Sequence, residues 1–228
     1  KKKGCEGCLN QLYGAWDSIE EIPWDELPDE FVMKVANGYS NHVFKRAGEP
    51  FDRKEAIKTL RKSSWFTKFA FRLNGDMFAY ETPQKIICEK LLHSTDGYKV
   101  PDDYKFYCFH GVPCYIEVMW DRYGENKKYN EIFVDIDLND RHDLEAEAEN
   151  VPYVWPQCMK EMKNLAAKLS EDFPFVRVDF YVENGCPIFG ELTFTPYHAQ
   201  TEQSMTELGA LIDMTRMSEY VERLVDLK

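Results

Sequence analysis

Two neighbouring segments in the last quarter of the chain alternate between apolar and polar side chains. The even positions carry Val, Val, Phe and Val in residues 175–183, and Ile, Gly, Leu and Phe in residues 187–195. A period of two is typical of a β-strand with one buried face. The pattern therefore predicts two antiparallel strands with polar odd positions, which include Arg177, Asp179, Tyr181, Glu191, Thr193 and Thr195.

The length of the connection decides which residues face each other. A two-residue Asn184-Gly185 turn would pair Asp179 with Gly190 and place the two apolar sets on opposite faces. We therefore predict a connection of odd length, most simply three residues, near 183–186. Asp179 then lies opposite Glu191 or one diagonal away. Because two such carboxylates repel unless a cation joins them, this face is either a Mg²⁺ site or a solvated face with an Arg–Asp pair.

The rest of the chain mixes short strands with helices, which is typical of an α+β protein. Apolar runs and alternation predict strands at 31–35, 86–92, 104–109, 113–120 and 131–138, the last of them half-buried. Helices are predicted from Asp52 to about Phe71 and, from helical spacing, over 156–170, and helical material from about 202 to 227. We expect Asp52 to cap the first of these helices.

Composition narrows the class of protein. Of the 228 residues, 44% are hydrophobic and 14% aromatic, which excludes a disordered chain. No apolar run approaches the roughly 20 residues of a membrane span, and a net charge of −12 opposes binding to nucleic-acid phosphates. The seven cysteines form no disulfide framework, although the Cys5-x-x-Cys8 spacing allows a structural or redox pair. We therefore expect a cytoplasmic protein with neither a membrane span nor a nucleic-acid partner.

Several segments resemble the TupA-like ATP-grasp family, the teichuronopeptide-biosynthesis type. The most specific are 173–181 (FPFVRVDFY) and 190–196 (GELTFTP), which also resemble the R-x-D, E-x-N and P signature of ATP-grasp ligases. Residues 27–34 (LPDEFVMK), 86–92 (IICEKLL) and 103–111 (DYKFYCFHG) are similar to upstream strands of the family, in the expected order. The resemblance implies an α+β ATP-grasp fold of two lobes with nucleotide between them, the N-terminal lobe being short or truncated.

The same resemblance implies a division of the chain. Residues 1–30 would be an N-terminal segment left from a preceding lobe, residues 31–92 the small lobe, and residues 93–228 the large lobe, with the metal and catalytic hairpin at 175–195.

The resemblance also implies the site residues and two cofactors, ATP and Mg²⁺. The implied ATP contacts are Lys34, Gly38 and Ser40 at the phosphates, Glu89, Lys90, Leu91 and Leu92 at the adenine hinge, and Asp103 at the ribose. The implied Mg²⁺ ligands are Asp179, Glu191 and Thr193, where Thr193 stands at a position that is usually asparagine. Arg177 would be catalytic by stabilising the charge on an acyl phosphate, and Lys105 by contacting a phosphate or an acceptor carboxylate.

The activity that the resemblance implies is an ADP-forming ligation of a carboxylate to an amine through an acyl phosphate. The product would be a peptide or amide bond in a cell-surface polysaccharide or polymer. The substrates would be a small-molecule or glycan carboxylate and an amine acceptor. Two alternatives remain open: an ATP-grasp kinase that phosphorylates a hydroxyl, and a nucleotide-binding module without turnover.

Overall fold

The computed structural model describes residues 3–38, 42–74, 83–95, 97–122, 129–141, 152–194 and 202–226. The chain forms two compact units. The smaller unit is Asn10–Leu91, and the larger combines Lys1–Leu9 with Leu92–Lys228. Most of the predicted N-terminal segment 1–30 therefore belongs to the smaller unit, because a strand within it pairs with Ile86–Glu89.

The smaller unit is a four-stranded antiparallel sheet with one long helix. Its strands are β1 (Leu12–Trp16), β2 (Phe31–Val35), β3 (Val43–Lys45) and β4 (Ile86–Glu89), in the spatial order β1-β4-β2-β3. The helix α1 (Arg53–Asn74) packs on β2 and β3. The buried core of this unit is formed by Ile22, Phe31, Met33, Val43, Ala56, Leu60, Ile86 and Cys88.

Helix α1 begins at the predicted cap. Oδ1 of Asp52 accepts hydrogen bonds from the backbone N–H groups of Lys54 (2.8 Å) and Glu55 (3.1 Å). These two bonds satisfy donors that a helix otherwise leaves unpaired in its first turn. The buried residues then recur at helical spacing along one side of α1, at Ala56, Leu60, Ser63 and Thr67.

The larger unit is built on a five-stranded antiparallel sheet. Its strands are β5 (Asp103–Phe109), β6 (Val112–Trp120), β7 (Asn130–Asp135), β8 (Phe175–Glu183) and β9 (Cys186–Thr193), in the spatial order β7-β6-β5-β8-β9. Its helices are α2 (Met159–Ser170), α3 (Glu202–Ala210) and α4 (Met217–Asp226). The helical material predicted from about 202 to 227 forms two α-helices, α3 and α4, which residues 211–216 separate. In the described parts of the chain, no helix has both the length and the apolar character needed to cross a membrane.

One face of this sheet forms the main core against α2. Its buried members include Phe106, Ile116, Val118, Val176, Val178, Phe180, Met162 and Ala166. The prediction of a half-buried strand at 131–138 is wrong for β7. Ile132 and Val134 join the main core, whereas Phe133 packs with Tyr107 and Leu208 on the other face, because α3 covers that end of the sheet.

The turn between β8 and β9 has two residues, so the prediction of a connection of odd length is wrong. Glu183 pairs directly with Cys186 across the turn. Asn184 and Gly185 both have positive φ, 53° and 76°. A two-residue turn of this kind matches the natural twist of the strands, and asparagine and glycine tolerate its backbone better than other residues do.

A β-bulge at Gly190 restores the predicted faces by another route. The pairing of the two strands shifts by one residue at this position. Asp179 therefore lies directly opposite Glu191, which confirms the pairing expected from the alternation. Between the bulge and the turn the alternation is reversed, so that Phe189, and not Ile188, packs against the main core.

Gly190 is at a position where a side chain would be crowded. A methyl group there would lie 3.1 Å from the backbone oxygen of Asp179 and 3.1 Å from Cε2 of Tyr181. We expect Gly190→Ala to lower the free energy of unfolding by about 1–3 kcal/mol. The matched change Gly7→Ala, whose methyl group would meet nothing within 4 Å, should alter it by less than about 0.5 kcal/mol. Urea unfolding measures both variants, and equal stabilities would contradict the crowded bulge.

Candidate active site

The polar face of the larger sheet brings together Arg177, Asp179 and Glu191. Arg177 and Asp179 are two residues apart on β8, so their side chains leave the same face. Arg177 holds Asp179 with two hydrogen bonds: Nε donates to Oδ1 at 2.8 Å, and Nη2 donates to Oδ2 at 2.7 Å. Glu191 places Oε1 at 3.6 Å from Nη2 of Arg177. Arg177 and Asp179 are buried, whereas the Glu191 side chain is 59% exposed.

Thr193 links two members of this cluster. Its Oγ1 accepts a hydrogen bond from Nη2 of Arg177 at 3.2 Å and donates one to Oε1 of Glu191 at 2.9 Å. Because a hydroxyl has only one proton to donate, this arrangement orients the Glu191 carboxylate relative to the guanidinium. The predicted metal ligands Asp179, Glu191 and Thr193 therefore lie in one cluster with Arg177.

Lys105 lies beside this cluster and pairs with a residue that the sequence analysis missed. On β5, Lys105 is the cross-strand neighbour of Asp179 on one side and of Glu117 on the other. Nζ of Lys105 donates to Oε1 of Glu117 at 2.5 Å, and the Tyr107 hydroxyl donates to Oε2 at 2.7 Å. Glu117 is fully buried. A signal existed in the sequence, because Glu117 is the single charged residue in the segment 113–120.

The electrostatics of this buried network favour the charged forms of Glu117 and Lys105. Burial would raise the pKa of Glu117, but the positive charges of Lys105 and Arg177 outweigh burial and hold that pKa at about 2. Burial would lower the pKa of Lys105, but Glu117 and Asp103 outweigh it, so the Lys105 pKa is raised. Burial raises the pKa of Asp179 above its usual range, against the opposing charge of Arg177.

Asp103, the predicted ribose contact, is buried at the start of β5. Its Oδ2 lies 2.9 Å from Nη1 of Arg122, a second residue that the sequence analysis missed. Its Oδ1 is buried and accepts no hydrogen bond from any residue that the structure describes. A buried carboxylate oxygen in this state can accept a hydrogen bond from a ligand hydroxyl.

In the smaller unit, the predicted nucleotide contacts Lys34 and Glu89 form an ion pair. Lys34 on β2 and Glu89 on β4 lie on neighbouring strands, and their Nζ and Oε2 atoms are 2.9 Å apart. The backbone of Lys90 is already committed, because its N–H donates to the oxygen of Gln11 and its oxygen accepts from Nδ2 of Asn10, both at 2.9 Å.

The remaining predicted nucleotide contacts, Gly38, Ser40, Leu91 and Leu92, differ in their structural environment. The backbone N–H of Gly38 donates to the oxygen of Val35 at 2.9 Å. Leu91 and Leu92 are buried, and the boundary between the two units falls between them. Ser40 lies outside the residues that the structure describes.

The family follows from a comparison of the whole sequence. The sequence profile described as TupA-like ATPgrasp matches residues 8–213. The chain belongs to the TupA-like ATP-grasp family. The matched range contains both sheets, and therefore both the Lys34–Glu89 pair and the Arg177–Asp179 cluster. No curated protein matches the sequence.

Solved structures agree with an ATP-grasp fold. A D-alanine–D-alanine ligase from Bacillus anthracis gives a TM-score of 0.54 at 18% identity, over 96% of this chain and 65% of the ligase. The ligase of that name and organism complexed with ATP gives a TM-score of 0.52 at 15% identity, over 95% of this chain and 62% of the ligase. The TupA-like chain thus spans slightly less than two thirds of the length of either ligase.

The oxygen donors of this ATP-grasp protein fit Mg²⁺. The carboxylates of Asp179 and Glu191 and the hydroxyl of Thr193 are hard ligands of the kind that Mg²⁺ prefers. Within the described ranges, no group of three or more His, Cys, Asp or Glu residues could hold a metal ion. The two carboxylates and the hydroxyl of Asp179, Glu191 and Thr193 suit an ion that takes one or two carboxylates from the protein and completes its coordination shell with phosphates and water. A carboxylate has about four lone-pair sites that can accept a hydrogen bond or bind a metal ion. Arg177 occupies one such site on each oxygen of Asp179, so the others remain for Mg²⁺.

Proposed function

We propose that the protein is an ATP-dependent carboxylate–amine ligase that forms a peptide or amide bond and releases ADP. The observation that carries the proposal is the buried Arg177–Asp179 pair with Glu191 directly opposite Asp179, in a member of the TupA-like ATP-grasp family. The family resemblance supports a further step, that the product belongs to a cell-surface polysaccharide or polymer. The substrates would then be a small-molecule or glycan carboxylate and an amine.

The proposed reaction has two steps. An oxygen of the donor carboxylate attacks the γ-phosphorus of ATP, the bond from that phosphorus to the bridging oxygen breaks, and ADP leaves. The amine nitrogen then attacks the acyl carbon, the bond from that carbon to the phosphate oxygen breaks, phosphate leaves with the bonding electrons, and the proton lost by the nitrogen passes to the departing phosphate or to water. Both steps place negative charge on phosphoryl and acyl oxygens, so positioned hydrogen-bond donors should dominate the catalysis.

Arg177 is suited to stabilise this charge. The N–H of Nε and the two on Nη2 are directed at Asp179 and Thr193. A guanidinium has five N–H groups, and the two on Nη1 have no partner among the described residues. Because Asp179 and Thr193 fix the plane of the guanidinium, these two donors are held in place before a substrate binds. We therefore propose that Arg177 stabilises the negative charge that develops on the acyl phosphate.

Asp179 and Glu191 would hold Mg²⁺, and Thr193 would orient Glu191. When bound, the ion would supply positive charge to the β- and γ-phosphates of ATP. Glu117 would act as a positioning residue, because its two carboxylate oxygens bind Lys105 and Tyr107 and so fix the Lys105 ammonium beside Asp179. Asp103 would accept a hydrogen bond from a ribose hydroxyl through its unpaired Oδ1.

Lys34 is proposed to contact the phosphates of ATP, with Glu89 contacting the adenine. Removing a charged donor of this kind typically costs about 1.5–3 kcal/mol, so we expect Lys34→Ala to weaken ATP binding by roughly 10- to 100-fold. Lys45→Ala is the matched control, because Lys45 lies on the same sheet and pairs with Asp29 at 3.4 Å. Isothermal calorimetry with ATP and Mg²⁺ measures both variants. Unchanged affinity in Lys34→Ala would contradict the assignment.

A screen for ADP release tests the activity itself. The full chain is incubated with ATP and Mg²⁺, with amino acids and uronic acids offered as carboxylates and as amines. Release of ADP and free phosphate that requires both a carboxylate and an amine supports ligation. A phosphorylated product formed without free phosphate supports the kinase alternative, and ATP binding without any product supports a binding module.

A further inference from the structure

The exposed side of α1 differs in charge from the rest of the protein. Residues 53–69 contain six basic residues and one acidic residue, in a chain whose net charge is −12. Apart from Glu55, every exposed residue in this range is basic or aromatic. Opposite the buried stripe of α1, the exposed residues are Lys54, Lys58, Arg61, Lys62, Trp65, Lys68 and Phe69.

The aromatic residues of this helix are unusually exposed. Trp65 is 65% exposed, Phe66 is 46% exposed and Phe69 is 47% exposed. The rings of Trp65 and Phe69 stack, with centroids 5.3 Å apart and an angle of 7° between their planes. Three large apolar side chains adjoining one another on a surface mark an interaction site, whereas a single exposed one needs no explanation. We call Trp65, Phe66 and Phe69 the aromatic patch.

Lysines beside this patch are free to meet an external anion. On the same helix, Arg53, Lys58 and Arg61 each have an acidic partner within the protein. Lys62 and Lys68 have no acidic partner among the residues that the structure describes. They lie three residues before and three residues after Trp65, so the helix places both of them next to the aromatic patch.

We propose that α1 docks on the surface of a bilayer that contains anionic lipids. In this arrangement the aromatic patch enters the headgroup region, and Lys62 and Lys68 contact the anionic headgroups. A sugar polymer fits less well, because the exposed residues of this range include no amide or hydroxyl side chain to bind sugar hydroxyls. The overall negative charge does not prevent docking, because charges beyond about 8 Å are screened at physiological salt. The inference does not rest on the proposed ligase activity.

Vesicle sedimentation tests the proposal with the full chain. We expect the protein to sediment with vesicles of mixed phosphatidylglycerol and phosphatidylcholine, and not with vesicles of phosphatidylcholine alone. A lysine near an anionic surface contributes about fivefold to the partition coefficient. The double variant Lys62→Gln/Lys68→Gln should therefore bind about 30-fold more weakly. The matched control is Lys160→Gln/Lys168→Gln, which removes the same charge from exposed lysines of α2 and should bind like the parent.

The aromatic patch gives a second, independent test. The variant Trp65→Ser/Phe69→Ser keeps every charge but loses two membrane-inserting rings, so it should also lose most of its vesicle binding. Thermal unfolding checks that each variant is folded, and substitutions on this exposed face should leave the midpoint nearly unchanged. The proposal is overturned if the parent does not bind the anionic vesicles. It is also overturned if the α1 and α2 lysine variants lose binding equally, or if soluble polygalacturonate binds to α1 while the vesicles do not.

Discussion

Replacing Arg177 by lysine should reduce ATP-dependent product formation by about 10²–10³. Arg177 holds Asp179 with two hydrogen bonds and still has two N–H groups directed by the same rigid plane. Lysine keeps the positive charge but has a single mobile ammonium, so it cannot make the two bonds and offer fixed donors to a substrate at once. The initial rate of ADP release, with the substrates found in the screen, measures the effect.

Two further measurements separate a catalytic role of Arg177 from a structural one. The affinity for ATP should fall much less than the turnover, because the proposed contact strengthens as charge develops in the transition state. Arg216→Lys is the matched control, since Arg216 is a partly exposed residue that pairs with Glu219 at 3.4 Å, and it should leave the rate unchanged. If Arg177→Lys retains full turnover, the polar face of the larger sheet is not the active site.

Replacing Glu117 by glutamine should destabilise the larger unit by about 3–5 kcal/mol. The substitution leaves the buried Lys105 ammonium without the carboxylate to which it donates a hydrogen bond, and the penalty of a buried charge that has lost its ion-pair partner exceeds that of a lost neutral hydrogen bond. Denaturant unfolding near neutral pH measures the change. Glu171→Gln is the matched control, because Glu171 pairs with Lys3 at 2.6 Å on the surface and its loss should cost less than about 1 kcal/mol.

The pH dependence of this effect has a definite sign. The pKa of Glu117 is lowered from the ordinary 4.5 to about 2 in the folded protein, which corresponds to about 3 kcal/mol of stability. This contribution is complete above the ordinary pKa and is lost as the pH falls toward 2. The difference between Glu117→Gln and the parent should therefore shrink below about pH 4. A difference that stays constant at acid pH would argue against a charge effect.

A second substitution separates charge from packing. Lys105→Met removes the buried cation, so the double variant Lys105→Met/Glu117→Gln should recover part of the stability that Glu117→Gln loses. Its activity should nevertheless stay low if Lys105 contacts a phosphate or an acceptor carboxylate. Recovery of both stability and full turnover would exclude Lys105 and Glu117 from the catalytic machinery and leave them a purely structural role.

The family and the local structure are determined by short-range patterns in the sequence. The alternation in 175–183 puts Arg177 and Asp179 on one face of a strand, because neighbouring side chains of a strand point to opposite sides. The cap at Asp52 is equally local, since its carboxylate bonds to N–H groups two and three residues away. Each segment that resembles ATP-grasp proteins overlaps one strand only, and the profile match over 8–213 confirms the family.

The tertiary structure decided the partners across strands. With regular pairing, Asp179 lies opposite Glu191 only if the connection between the two strands has an odd number of residues. The structure instead has a two-residue turn, and a β-bulge at Gly190 brings Asp179 opposite Glu191. Both arrangements leave Val178 and Leu192 on the core side of the sheet, so the alternation around Asp179 and Glu191 cannot distinguish them. The sequence also leaves the ion-pair partner of Lys105 undecided. Asp102 and Asp103 are close to Lys105 in the sequence, but the structure pairs Lys105 with Glu117 on the neighbouring strand. Such contacts depend on the register of strands that are far apart in the chain, and no single segment encodes that register.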